Sequence, residues 1–146
     1  MQKLGGSAHI LQDVKSPKYH AFLHVSGAVR LAQGLVTANA LVSFKPRPDG
    51  FYNLKLKGQW LWIDDGTDDT YVYSKLQEPD QRGQFIVVKY PNNIITIASR
   101  KWPTKFWKEE NGSYYVRFRE GNTGEDTRFR LRPCEDRGQG GRCFNI

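Results

Sequence analysis

The chain has 146 residues, 38% of them hydrophobic, with 22 Lys and Arg against 15 Asp and Glu for a net charge of +7. That length suits about one domain with a packed core, and no run approaches the roughly 18 apolar residues of a membrane span. Two cysteines are too few for a disulfide scaffold, and the opening Met1-Gln2-Lys3-Leu4-Gly5-Gly6 lacks the apolar stretch of a secretory signal, so a cytoplasmic location is expected.

From the N-terminus, residues 19–25 read as extended, with His20 and His24 on one face and no third metal ligand beside them. Residues 28–43 have a helical composition, but Gly34 in their middle and the β-branched residues oppose a helix. Beyond them short strands are predicted at 52–57, 59–63, 70–75, 84–89, 94–98, 113–119 and 127–131. Turn signals separate them: Pro48-Asp49-Gly50, Asp64-Asp65-Gly66, Tyr90-Pro91-Asn92-Asn93 and Glu110-Asn111-Gly112. Asn111-Gly112-Ser113 is also a glycosylation sequon, read here as a hairpin turn. A single domain is expected over residues 1–133. Residues 134–146 read as a Gly-rich tail, and whether its Cys134 and Cys143 pair is left open.

An internal repeat selects the architecture. Ser43-Phe44-Lys45-Pro46, Gln84-Phe85 followed by Lys89-Tyr90-Pro91, and Arg128-Phe129 followed by Arg132-Pro133 share an aromatic, a basic residue and a proline. Their phenylalanines lie 41 and 44 residues apart. Trp60-Leu61-Trp62-Ile63 with Tyr71-Val72-Tyr73 is echoed by Phe106-Trp107 with Tyr114-Tyr115-Val116. Three units of about 42 residues, each roughly four strands, predict an all-β β-trefoil: a six-stranded barrel capped by three hairpins. An immunoglobulin-like sandwich is the alternative, and it leaves the period unexplained.

Alternation along 59–64 sends Leu61 and Ile63 to one side and Trp60 and Trp62 to the other. With the aliphatic pair in the barrel, the two indoles are expected outside, packed under a loop or stacked on a ligand. Six carboxylates crowd the stretch 61–81, whereas 100–132 is basic. Anions gathered this way disfavour a nucleic-acid partner. On alternating strands, Arg117 with Arg119, and Arg128 with Arg130 and Arg132, would form a basic stripe for a sulfated, heparin-like polysaccharide or another polyanion.

Enzymatic constellations are poor. No phosphate loop or nucleophile elbow is present, and the carboxylates of one open loop lack the desolvation that would set their pKa values apart. The Asp64–Asp69 run lacks an EF-hand's closing glutamate, since Lys75 stands at the twelfth position. No cofactor or metal is expected, and the chain is read as a non-catalytic binder. A protease-inhibiting trefoil is a third reading, which no loop here specifically favours.

Trp60-Leu61, a polar turn, Tyr71-Val72-Tyr73-Ser74, Glu78-Pro79-Asp80 and a later Phe85 together resemble the amaranthin-type agglutinin domain, a plant-type β-trefoil lectin. The similarity covers residues 19–91. It implies a lectin without enzymatic activity or metal, binding O-glycan core disaccharides such as galactosyl-β1,3-N-acetylgalactosamine between facing domains of a homo-oligomer. The family's sugar-contacting loop falls here on Asp68, Asp69, Thr70 and Tyr71. Two aspartates replace the family's amide and imidazole, and the loop is about one residue longer. With Trp60 and Trp62, these are the candidate carbohydrate-binding residues: carboxylates accept bonds from vicinal hydroxyls, and an aromatic face packs on a pyranose.

Overall fold

Twelve short strands carry the described part of the chain, residues 8–33, 38–63, 70–109, 116–120 and 124–134 of a computed structural model. The first four are β1 (Ala8–Asp13), β2 (Tyr19–Leu23), β3 (Val29–Gln33) and β4 (Val42–Pro46). Then come β5 (Tyr52–Leu56), β6 (Gln59–Ile63), β7 (Thr70–Lys75) and β8 (Gln84–Tyr90). The last are β9 (Ile94–Ser99), β10 (Lys105–Glu109), β11 (Val116–Glu120) and β12 (Phe129–Cys134). Each predicted strand has a counterpart within a few residues of its expected bounds, and 113–115 of the strand predicted at 113–119 lie outside the described residues. The helix-like composition of 28–43 yields β3, one 3-10 turn at Ala38–Ala40 and β4, because β-branched residues pack better on a pleat.

Pairing closes a ring. β1 pairs with β4, β4 with β5, β5 with β8, β8 with β9, β9 with β12, and β12 returns to β1, all antiparallel. The remaining six strands form the hairpins β2–β3, β6–β7 and β10–β11. Their return strands meet: Phe118 pairs with Thr70, Arg117 with Tyr71, and Ala28, just before β3, bridges to Tyr73. A six-stranded barrel capped by three hairpins is a β-trefoil, as the repeat predicts. Full closure leaves the barrel no unpaired edge.

The three repeat phenylalanines explain the period. Phe44, Phe85 and Phe129 sit on β4, β8 and β12, the fourth strand of each unit, and all are fully buried in one core cluster. Trp107 of β10 wedges edge-on between two of them, its ring centroid 6.0 Å from Phe85 and 6.4 Å from Phe129. The central residue of β10 is this indole, whereas β2 has Ala21 and β6 has Leu61 there. Large and small side chains thus share one close-packed interior.

A polar network braces one side of the barrel. In the β4–β5 turn, Asp49 accepts from Arg47 at 3.2 Å and from Arg100, beyond β9, at 2.8 Å. Arg100 also donates to Gln84 at 2.7 Å, and its guanidinium lies 4.1 Å from the Phe51 ring centroid. Partial desolvation pushes the Asp49 carboxyl up, but the Phe51 N–H and the Arg100 and Arg47 guanidiniums outweigh it and hold it below its ordinary value. Buried Asn53 donates to the Gly83 carbonyl at 3.1 Å. On β2, burial lowers the pKa of His20.

Candidate functional site

The β6–β7 hairpin carries the aromatic candidates. Leu61 and Ile63 are fully buried, as alternation requires. Trp60 and Trp62 lie on the other face, opposite Lys75 and Tyr73 in register. Of the two fates expected for an outer indole, Trp62 meets packing under a loop, since only 3% of it is exposed. Its Nε1 donates to the Gln77 carbonyl at 3.1 Å, and Lys75 Nζ and Arg82 Cζ lie 4.9 and 5.2 Å from its ring centroid. The segment after β7 folds back over the ring, so Trp62 is a packing residue and no platform for a sugar. Covering an indole removes a large apolar area from water, and the carbonyl satisfies its one donor.

Trp60 and Tyr71 stay half-buried. Lys55 Nζ stands 4.2 Å from the Trp60 ring centroid, and Tyr71 meets Tyr73 edge-on at 6.1 Å. Trp60 pairs with Lys75, four residues beyond Tyr71 on β7. Strand rise therefore separates the two rings by roughly 13 Å along the hairpin. Thr70 opens β7 and pairs with Phe118. Asp68 and Asp69 lie outside the described residues, as do the Asp64–Asp65 turn and the 135–146 tail.

The basic candidates divide between two layers. Arg128, Arg130 and Arg132 point away from the core, since Phe129 and Leu131 between them are buried. Arg128 stacks 5.1 Å from the Tyr90 centroid, Arg130 is half-buried, and Arg132 is exposed. Arg117 and Arg119 belong to β11, which pairs with β10 and β7, whereas β12 pairs with β1 and β9. The two arginine strands are not neighbours in the sheet, so the expected basic stripe does not run across one pair of strands. Period-2 alternation predicts which way an arginine points and leaves its neighbouring strand unspecified.

A cleft of about 290 Å³ opens where the first two repeats meet. The β2–β3 turn supplies His24, Val25, Ser26 and Gly27, the 3-10 turn before β4 supplies Asn39, and the β5–β6 turn supplies Lys57 and Gln59. Ser74 of β7 forms its floor, with its N and Oγ donating to the Gly27 carbonyl at 2.8 and 3.1 Å. Sequence reading missed this group because no two of its turns share a motif. The available signal was Lys57-Gly58, a two-residue turn with lysine where Asn or Gly is usual. Among the described residues, no three of His, Cys, Asp and Glu gather as a metal site, and no helix is long and apolar enough to cross a membrane.

Comparison with known proteins places the fold. No family model matches the chain, and no curated protein matches it significantly. Among solved structures, the designed threefold-symmetric protein ThreeFoil aligns over 86% of this chain and 97% of its own, with TM-score 0.73 and 16% identity. A GlcNAcα1-4Gal-releasing endo-β-galactosidase from Clostridium perfringens aligns over 88% of this chain and 33% of its own, with TM-score 0.75 and 18% identity. A mosquitocidal holotoxin aligns over 89% of this chain and 16% of its own, with TM-score 0.75 and 12% identity. At these identities the likeness is one of fold, and it joins the closed ring of strands and the three hairpins in the same conclusion: the chain is a β-trefoil.

Proposed function

We propose that this chain is a non-catalytic lectin that binds a galactose or N-acetylgalactosamine-type glycan, in the manner of the amaranthin-type agglutinins it resembles. The observation that carries the reading is the outer face of the β6–β7 hairpin, where Trp60 and Tyr71 are half-buried residues on paired strands. Aromatic rings so placed pack against the C–H side of pyranoses. Their roughly 13 Å separation along the strands exceeds one sugar ring and favours an oligosaccharide. Asp68 and Asp69, next in the chain, supply hydrogen-bond acceptors for hydroxyls. The Clostridium perfringens enzyme, which by its name releases GlcNAcα1-4Gal, holds the same fold within a glycan-processing chain. A cytoplasmic homo-oligomer completes the reading, because one domain supplies half of a site shared between two.

A glycan array carrying neutral O-glycan cores and sulfated glycosaminoglycans, probed at low and high salt, tests it. Salt-resistant binding to a neutral core, lost in Trp60→Ala and Tyr71→Ala, is the expected result. Binding to sulfated chains alone, abolished by salt, overturns it in favour of a polyanion binder. That second reading is favoured by the outward Arg128, Arg130 and Arg132 of the β12 segment.

A further inference from the structure

The cleft between the first two repeats has a chemistry of its own. None of its lining residues is acidic, and none is Trp, Tyr or Phe. A neutral hexose pocket usually offers a carboxylate and an aromatic ring, so this lining answers to something else. Its polar groups are weighted toward donors. Lys57 brings an ammonium, and Asn39 and Gln59 bring amide N–H donors.

His24 adds a further donor. The Ser26 backbone N–H donates to its Nδ1 at 3.1 Å, so the neutral ring carries its proton on Nε2. Ser26 Oγ lies 2.9 Å from the same Nδ1 and holds the imidazole in place. At the rim, Val25 is 96% exposed, an apolar lip at the tip of a turn.

Lys57 is held there at a conformational cost. Its φ is +53° and that of Gly58 is +75°, the signature of a two-residue hairpin turn that favours Asn-Gly or Gly-Gly. A lysine at the first position places a cation beside two amides, where asparagine would have made the better turn.

We propose that this cleft binds the anionic group of an acidic sugar, a sulfate ester or a carboxylate, with Lys57, Asn39, Gln59 and His24 as donors and Val25 against the ring. The proposal rests on the lectin reading and adds a second subsite, which borders the β6–β7 hairpin of Trp60 and Tyr71 through Gln59 and Ser74. An acidic glycan would engage both.

The test is an NMR titration of the full chain with galactose-6-sulfate, glucuronate and galactose, following the backbone amides of Ser26, Asn39, Lys57 and Gln59 and the Trp60 indole. At least one acidic sugar is expected to shift the cleft amides saturably, at least tenfold more tightly than galactose. Whichever does so identifies the anionic group. Lys57→Asn, which suits the turn and so keeps the fold, is expected to weaken acidic-sugar binding about tenfold and leave galactose binding unchanged.

Cleft amides that stay still with both acidic sugars, or respond equally to galactose, overturn the proposal, as does full acidic-sugar affinity in Lys57→Asn. Galactose shifts at Trp60 with a silent cleft refute the subsite and keep the lectin reading. A responsive cleft with neutral glycans silent at Trp60 and on the array supports the subsite and refutes that reading.

Discussion

The indole nitrogen of Trp62 donates to the carbonyl oxygen of Gln77 across 3.1 Å, tying β6 to the segment that follows β7. One hydrogen bond thus turns a surface-facing tryptophan into a structural pin. Trp62→Phe is expected to cost about 1 kcal/mol through the lost bond. Trp62→Ala should cost about 3–5 kcal/mol through the lost contacts as well. Urea unfolding measures both, and glycan affinity of the folded Trp62→Phe variant should match wild type.

Gly83 gives a sharper stability test. A Cβ there would stand 2.2 Å from Pro79 Cβ and 2.6 Å from the Leu61 carbonyl oxygen. Neither neighbour is a flexible side-chain tip, so Gly83→Ala should destabilise by about 1–3 kcal/mol, the range for overpacking. Gly50→Ala is the contrast. It meets nothing within 4 Å but has φ +89°, so its cost, about 1–2 kcal/mol, is conformational only. Chemical denaturation of the pair separates crowding from backbone strain.

Stability should fall with acid in two stages. The folded pKa of His20 lies below its unfolded value, so the unfolded chain takes the extra proton first and stability declines as pH drops through about 6.5. Asp49 is also depressed when folded, and so is Asp80, whose Arg82 side-chain and backbone bonds outweigh desolvation. Their contributions are present above about pH 4 and are lost as pH falls through the folded values. Melting temperature against pH should lose its upper step in His20→Gln and be reduced in its lower step in Asp49→Asn.

Much of the fold was legible because packing repeats itself in the chain. Phe44, Phe85 and Phe129 recur because each lies on the fourth strand of a unit, and that spacing, with the echoed hairpin aromatics, points to the barrel. Strand pairing was less legible. Nothing in the pattern of Arg117 or Arg130 says that β11 lies in the cap and β12 in the barrel wall. The fate of Trp62 was hidden too, since period-2 alternation fixes its side of the sheet but not the chain that later covers it. The cleft was hardest, for its donors come from turns of both repeats that share no periodicity.

Trp60 and Tyr71 should separate binding from folding. Both are half-buried, and neither fills the central core cluster. Trp60→Ala is expected to weaken glycan binding about tenfold, the equivalent of about 1.4 kcal/mol. Its melting temperature should fall less than that of Trp62→Ala. Calorimetric titration against the best array glycan, beside a thermal melt, measures both quantities.

The pairing of β1 with β12, from Ala8 opposite Cys134 to Asp13 opposite Phe129, sets the first strand beside the last. A ring joined in this way has no privileged starting point. Linking the two strands through a short peptide and reopening the chain at the exposed Asp49-Gly50 turn would give a circular permutant that begins with the second repeat and ends with the first. Its barrel would keep every ladder, so strand order along the chain would be a matter of history more than of mechanics.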